Sequence, residues 1–564
     1  MKARALYLPS AWSLAPLCFA LVAACESRVD LEPAPLPEDA DAAQRSDTTA
    51  PTDSGRDAAA LPDAAADGGV DATEPADTGV DAFVQPGTAT DGIRNDDESD
   101  VDCGGSRAPR CAIGRLCNGP NDCDNGQCRT GRCPNVRYFD INHVLSTGQS
   151  NAVANSGTPV LSTTQPYQNK MFTYGVMTSS NCDGDGCRGY ETPTSMIPLV
   201  EGDQFFNYSV ETMSSGFANA STMLAGSVYL AGNPVRTQFD TLVSLQGRSG
   251  NTMYCIRRGG CPDWYTGRGY IYAFEGAMRD VQAGVALANA AGKSYAVRAV
   301  TLIHGESDHY GYDELYPTRS TAGVANQIRN YGDALIELQQ DYEREVRLIS
   351  GQTVGVPLLL SQMHGWSADT GRMQSAVPID QYEAHKRAPG QVVLVTPTYM
   401  LPFAADGIHF TSQGNRRLGE YFAKAYAQQA LTDVAWEPLR PDTVTRAGSI
   451  VRVKFKVPVP PLALDSAQVS DPGNYGFEYS DQGAAATPSI VSVELEGGDT
   501  VRITLSGAPT NGNRVVRYAY TRPNNTGVGP LAGVRGNLRD SDASASLYGN
   551  ALQNWAVTFS EPVP

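Results

Sequence analysis

The sequence predicts an α/β domain with a mainly parallel sheet, followed by a β-rich domain. Between residues 136 and 432, short β-branched runs alternate with long helical stretches, the pattern of βαβ units that cover a parallel sheet on both faces. From residue 433 onwards, short alternating runs are separated by Pro and Gly-Asn turns with no helical period, which reads as a β-sandwich over 433–564. At 564 residues the chain is too long for one domain of about 100–200 residues, and its 41% hydrophobic content is enough for a sizeable core.

Residues 1–25 read as an export segment. Lys2 and Arg4 precede an apolar stretch from Ala5 to Ala20, which ends in Leu21-Val22-Ala23-Ala24-Cys25. An apolar residue three before a cysteine, with small residues between, resembles the lipobox of bacterial lipoproteins. That resemblance implies lipidation of Cys25 and a membrane anchor; an ordinary cleaved signal peptide is the plainer alternative. Glu26, not Asp, follows the cysteine, which favours an outer-membrane or cell-surface location. No later stretch of about 18 apolar residues offers a membrane span.

Residues 26–90 form an acidic Ala/Asp/Pro spacer with 15 acidic and 3 basic residues. Few aromatics and no apolar period leave nothing to offset its ordering entropy, so it is expected to be an extended, self-repelling tether. Much of the net charge of −18 lies there, not on a folded surface. A pI near 4.8 also excludes a broad basic surface for nucleic acid.

A small module over 91–135 holds Cys103, Cys111, Cys117, Cys123, Cys128 and Cys133. Two close pairs follow, Cys182 with Cys187 and Cys255 with Cys261. Clustered cysteines in even number, in an exported chain, read as disulfides that staple a segment too short for its own core. The pairing is left open. No His stands near and no pair of C-x₂-C knuckles occurs, so zinc is not expected. The run Asp91–Asp102 is rich enough in oxygen ligands for calcium but lacks the EF-hand spacing and its closing glutamate.

In the α/β part, strands are expected at Val136–Thr147, Thr241–Leu245, Tyr295–Ile303, Val356–Gln362 and Val392–Thr396. Helices are expected at Tyr272–Ala291, Val324–Ile349 and Ser412–Ala430. Ligands of such sheets bind beyond the carboxyl ends of the strands, and four motifs lie there. Ser146-Thr147-Gly148-Gln149-Ser150-Asn151 follows the first strand and exposes a serine hydroxyl at a strand-to-helix corner. Asp406-Gly407-Ile408-His409 sets an Asp and a His three apart in a turn, so that the His can take the serine proton and the Asp can orient the ring. Ile303-His304-Gly305-Glu306-Ser307-Asp308 follows the third strand. Ser214-Ser215-Gly216-Phe217-Ala218-Asn219 supplies a glycine that would let backbone approach an oxyanion.

These four blocks, in this order, resemble the SGNH/GDSL hydrolase superfamily, and Gly148-Gln149-Ser150-Asn151 is similar to its sialate O-acetylesterase and carbohydrate acetylesterase branch. The resemblance covers about 137–432. It implies a three-layer α/β/α fold and ester hydrolysis without metal or cofactor. It implies Ser150 as nucleophile, His409 as base and Asp406 as its orienter, with the N–H groups of Ser150 and Gly216 in the oxyanion hole. His304 stands where the family has Asn or Gln, and a neutral imidazole N–H could donate there. Gln149, Asn151, Glu306 and Asp308 are read as supporting residues that brace the loops, with a second acid/base role for Glu306 as the alternative. His309 is read as a pocket neighbour, and His143, His364 and His385 as structural or surface residues. Tyr310, Tyr312 and Trp366 could stack on a sugar ring or simply pack.

The function expected is therefore a surface-tethered serine esterase that removes acetyl groups from a glycan. A lipase or other small-ester hydrolase of the same fold, and a catalytically inert surface adhesin, are the alternatives. The expected partners are an acetylated glycan or small ester, and the membrane through the lipid anchor. The role of 433–564, glycan binding or spacer, is left open.

Overall fold

In a computed structural model the described residues run from Gly92 to Pro564, except 113–114, 125–127, 129–130, 134–138, 180–189, 206–207, 230–238, 262–271, 322, 367–370, 432–433, 483–485, 510–511 and 524–526. Cys25 and the spacer 26–90 lie outside them. So do Cys182 and Cys187, both within 180–189.

Ile141–Gly148 (β1) is buried along its length apart from its first residue, although half of it is polar. Each polar side chain finds a partner on a neighbouring strand. His143 Nδ1 meets Tyr295 Oη at 2.6 Å and its Nε2 meets Ser244 Oγ at 2.9 Å. Ser146 pairs with Thr301, and Thr147 donates to the Gln246 carbonyl. Buried hydroxyls and imidazole are tolerated because none is left unbonded.

Around β1 stand Lys170–Phe172 (β2), Met196–Pro198 (β3), Thr241–Gly247 (β4), Tyr295–Ile303 (β5), Leu358–Gln362 (β6) and Val392–Pro397 (β7). The seven-stranded order is β7-β6-β5-β1-β4-β2-β3. All pairings are parallel except β2 with β3. The chain leaves β1 for one side of the sheet and later returns to build the other, so the order reverses at β1. A crevice opens at the carboxyl ends of the strands at such a point.

Among the described residues, six helices of ten residues or more accompany the sheet: Met213–Leu224 (α1), Ala273–Ala290 (α2), Glu306–Leu315 (α3), Tyr331–Ser350 (α4), Val377–Arg387 (α5) and Ser412–Leu431 (α6). α1 packs on α6, while α2 packs on α4 and α4 on α5. Two expectations need correction. The helix expected from Val324 starts only at Tyr331, because Asn330 caps it by accepting from Asp333 N at 2.8 Å. Upstream, Gly323–Ile328 pairs antiparallel with Thr318–Ser320. Gly216, expected in a turn, lies inside α1; a Cβ there would stand 2.5 Å from the Arg416 carbonyl of α6, so its absence sets how closely the two helices approach.

In the cysteine module, disulfides join Cys103 to Cys111, Cys117 to Cys128 and Cys123 to Cys133, and further on Cys255 joins Cys261. Among the ten cysteines expected to pair, Cys182 and Cys187 are the two for which no bond is described, because their segment lies outside the described residues. The acidic run serves the backbone. Asp122 accepts from the N–H groups of Gly105, Asn118 and Gly119, Asp100 from Leu116 and Val101, and Asp97 from Ser106. These carboxylates hold loop amides that a module without long strands leaves unpaired.

The C-terminal part contains Arg440–Ala447 (β8), Ile450–Lys456 (β9), Phe477–Gln482 (β10), Ile490–Glu496 (β11), Thr500–Leu505 (β12), Asn513–Tyr518 (β13) and Phe559–Pro562 (β14). They form antiparallel sheets in the orders β8-β9-β12-β11 and β10-β13-β14. Rings link the two, with Phe455 and Phe559 centroids 6.0 Å apart. One apolar cluster runs from Val144 through Val563, so this part shares its core with the α/β part. Buried polar bonds cross between them. Gln362 donates to the Thr558 carbonyl and accepts from its N–H, and His364 Nε2 meets Thr558 Oγ1. Lys424 of α6 lies 2.7 Å from Asp542 and donates also to Leu552 O and Asn554 Oδ1.

Removing one partner of a buried ion pair leaves the other charge uncompensated, at about 3–5 kcal/mol. Lys424→Met is expected to lower the denaturant midpoint by that equivalent. Because the core is shared, tryptophan fluorescence and far-ultraviolet circular dichroism should still report one coincident transition. Two separate transitions in the wild type would contradict the shared core.

Candidate active site

The carboxyl ends of three neighbouring strands coincide. Gly148 of β1 is in register with Gly247 of β4 on one side and Ile303 of β5 on the other. Gly148 has φ +139°, and a Cβ there would collide with the Ile303 carbonyl, so only glycine lets the chain turn at this point. Ser150 follows two residues later, in a turn that Asn155 N closes onto the Ser150 carbonyl at 3.0 Å. The serine is 6% exposed.

Asn151 ties three segments together. Its Nδ2 donates to Glu306 Oε1 at 2.8 Å and to Ile408 O at 3.1 Å, and its Oδ1 accepts from Phe410 N at 3.1 Å. The two backbone partners flank His409. The residue next to Ser150 therefore grips the chain on both sides of the histidine. His409 Nδ1 lies 2.8 Å from Asp406 Oδ2, and Asp406 Oδ1 accepts from the N–H groups of His409 and Ile408. Ser156 Oγ donates to Asp406 Oδ2 at 3.0 Å. Burial pushes the Asp406 carboxyl up, but the N–H groups and the ring more than offset this, so it stays below the usual carboxylate range. No hydrogen bond joins Ser150 to His409 in this structure; such bonds often tighten only with substrate.

The block after β5 is a brace. Gln149 Oε1 accepts from Gly305 N at 3.4 Å and Ser307 N at 3.1 Å, which serves free amides at the start of α3. Glu306 is buried, with Oε2 lacking a partner, and burial pushes its carboxyl up to about 7. Asp308 accepts from Met253 N and Tyr316 Oη at 2.8 Å each. Burial also raises its carboxyl, against the pull of His304.

His304 is fully enclosed. Its Nδ1 meets Tyr331 Oη at 2.9 Å and its Nε2 meets Asn251 O at 3.0 Å. Burial holds it below the ordinary histidine value, opposed by Asp308 and Asn251. With both ring nitrogens engaged, it has no N–H to offer an oxyanion, which corrects that expectation. Gly216 departs as well. As the fourth residue of α1 its N–H belongs to the helical ladder, and its bare Cα faces α6. The loop Arg248–Asn251, which extends β4, is tied to the residues on both sides of Ser150: Arg248 N donates to Gly148 O at 2.9 Å, and Asn155 Nδ2 donates to Ser249 Oγ at 2.6 Å. The sequence marks it only by Gly250, whose φ is +72°.

His309 is buried, with its ring centroid 5.2 Å from that of Trp366. Burial, then Arg372 and Arg522, lowers it to about 4. Trp366 is likewise enclosed, and Tyr312 donates to Asp380, so packing describes both. His143, His364 and His385 are buried and bonded, not on the surface.

No protein-family profile and no curated protein matches the chain. Among solved structures, part of it is similar to a carbohydrate acetylesterase from Xanthomonas citri, at 14% identity and TM-score 0.41, over 72% of this chain and 81% of that one. It is also similar to a protein from Arabidopsis thaliana (15% identity, TM-score 0.30, 50% and 97% covered). A third is Est24, a carbohydrate acetylesterase from Sinorhizobium meliloti (12% identity, TM-score 0.22, 50% and 97% covered).

Glu306 yields a test of the brace. A carboxyl raised from 4.5 to about 7 favours the protonated fold, so its stabilisation is full below pH 4.5 and is lost as pH rises towards 7. By linkage the loss is on the order of 3 kcal/mol. Glu306→Gln keeps the acceptor for Asn151 and cannot ionise. Thermal melts are expected to show the variant gaining on the wild type between pH 4.5 and 8; a constant difference across that window would refute the buried-acid account.

Proposed function

We propose that this chain is a serine esterase that hydrolyses O-acetyl esters on a carbohydrate, with Ser150 as nucleophile, His409 as base and Asp406 as its orienter. The observation that carries the reading is the Asn151 grip: the residue beside Ser150 holds the backbone on both sides of His409, whose other ring nitrogen is bonded to Asp406. The acetyl and carbohydrate parts of the proposal come from the Gly148-Gln149-Ser150-Asn151 motif and its likeness to that esterase branch. In the same reading the α/β part is the three-layer domain of that superfamily, and 433–564 is a β-sandwich.

The chemistry follows the serine-histidine-acid scheme. Ser150 Oγ attacks the acetyl carbonyl carbon as its proton passes to His409 Nε2. The tetrahedral oxyanion collapses, the ester C–O bond breaks, and His409 returns the proton to the departing sugar oxygen. Water, deprotonated by His409, then attacks the acetyl-enzyme, releases acetate and restores Ser150. Asp406 stabilises the transient imidazolium and fixes the Nδ1–H tautomer. For the oxyanion we assign the Ser150 N–H, in place of Gly216 and His304. No step calls for a metal or cofactor.

A serine-directed phosphonate is expected to label the wild type and not Ser150→Ala, and Asp406→Asn should lower kcat about 10³–10⁴-fold by losing the tautomer. Gly216→Ala should melt earlier by the equivalent of about 1–3 kcal/mol, through overpacking, while turnover per folded molecule holds. No label on Ser150 in folded wild type would favour the inert adhesin. Acetate release from acetylated xylan, pectin and sialic acid, set beside release from long-chain esters, sorts the substrate.

We also infer that Cys25 carries the lipid anchor and holds the enzyme at the outer membrane or cell surface, the acidic spacer acting as a stalk. Cys25→Ser is expected to abolish incorporation of labelled palmitate and release the protein from membranes; unchanged labelling would end this reading.

A further inference from the structure

We propose that Arg522, which follows β13 in the β-rich C-terminal part, is a positioning residue for His409, so that the unit able to act on an ester extends through residue 564 and does not end near 432. This rests on the esterase reading above and adds a residue to it.

Arg522 is 2% exposed and joins the two halves of the molecule. Its backbone N donates to Met373 O at 2.7 Å. Its Nη1 donates to Trp366 O, and its Nη2 to Gly527 O at 2.9 Å. Two acceptors of the guanidinium are backbone carbonyls, Trp366 O on the α/β part and Gly527 O on the C-terminal part. Each of those segments touches the turn that carries His409. Gly365 precedes Trp366, and a Cβ on it would stand 2.8 Å from Ile408 O and 3.5 Å from Glu306 Oε1. Ile408 O is the carbonyl that Asn151 holds, and Glu306 Oε1 is the other acceptor of the same amide. From the C-terminal part, Val528 Cγ2 lies 4.0 Å from where a Cβ on Gly407 would be, and Gly529 packs on Leu401 O and the Phe403 ring.

One planar fork thus anchors both walls against which Asp406–His409 rests. A lysine could serve one carbonyl but not two in fixed relation. Trp366 adds to the first wall by setting its ring against His309. Displacement of either wall moves Ile408 and, with it, the Nε2 that must meet Ser150. A shift of about 1 Å at such a point costs up to about 100-fold in rate.

The experiment uses the protein from Glu26 onward with histidine-selective ¹⁵N labelling, and compares wild type, Arg522→Met, Arg522→Lys and Gly365→Ala. Two readouts are taken: phosphonate labelling of Ser150, and the ring N–H signal of His409, with the ring signals of His143 in β1 as the control for an intact fold. Arg522→Met is expected to slow labelling about 10–100-fold and to shift or broaden the His409 signal while His143 is unchanged. Arg522→Lys should fall between, because it keeps one donor. Gly365→Ala should reproduce the pattern with Arg522 intact, since its new methyl presses on Ile408. Wild-type labelling and an unshifted His409 signal in folded Arg522→Met would overturn the proposal. If that variant loses the His143 signals, an unshifted His409 in Gly365→Ala overturns it instead. Should the wild type take no label, the esterase reading fails by itself, and the His409 signal alone still decides the positioning role.

Discussion

The side-chain amide of Asn151 is the junction on which the candidate site depends. A carboxamide donates twice and accepts twice, along directions set by its plane. Asn151, 1% exposed, bonds Glu306, Ile408 and Phe410, and so joins the end of β1, the start of α3 and the turn before α6. These segments are far apart in sequence. Each bond lost would strand a buried polar group at about 1–3 kcal/mol, so the three segments hold one another in place. A serine hydroxyl and an imidazole have no such bond between them here; the geometry of the pair is inherited from the neighbour.

Around this junction the molecule tolerates buried ionisable groups as long as each is bonded or uncharged. Burial raises Glu306, Asp308 and Asp280, and lowers His143, His304 and His364. All six shifts favour neutral forms, the direction expected where water is excluded. Asp406 moves the opposite way because it is half open and accepts several N–H groups. The one carboxyl at the site held firmly ionised is thus the one bonded to the histidine.

The β-rich C-terminal part belongs to the same physical object. It shares the apolar core, supplies Asp542 to Lys424 and Thr558 to Gln362 and His364, and brings Val528 to the turn at Gly407. Alternating strands in the sequence indicate that this part forms sheets, but they carry no record of what the segments between the strands meet. Arg522 follows Thr521 after β13 and Thr558 stands between Val557 and Phe559, and both bond segments more than 140 residues upstream.

Much was legible from local pattern. β-Branched runs located five of the strands that pair in parallel, though not the three-residue Lys170–Phe172, and the helix beginning at Ser412 was readable from its first residue, because strand and helix formation are consequences of local periodicity; the motifs offered Ser150, His409 and Asp406 as candidates. Where the reading failed, a local signal had a second, non-local explanation. Gly216 looked like a turn glycine, yet a glycine is equally what a close helix crossing requires, and only the presence of Arg416 across from it distinguishes the two. His304 looked like a donor by position, but Tyr331 and Asn251 take both of its nitrogens, and neither is near it in sequence. The residues by themselves determined which chemical groups stand at the strand ends. The tertiary structure decided which of them have a free atom to act with, because hydrogen-bonding capacity is finite and is spent on whatever partner folding brings within reach.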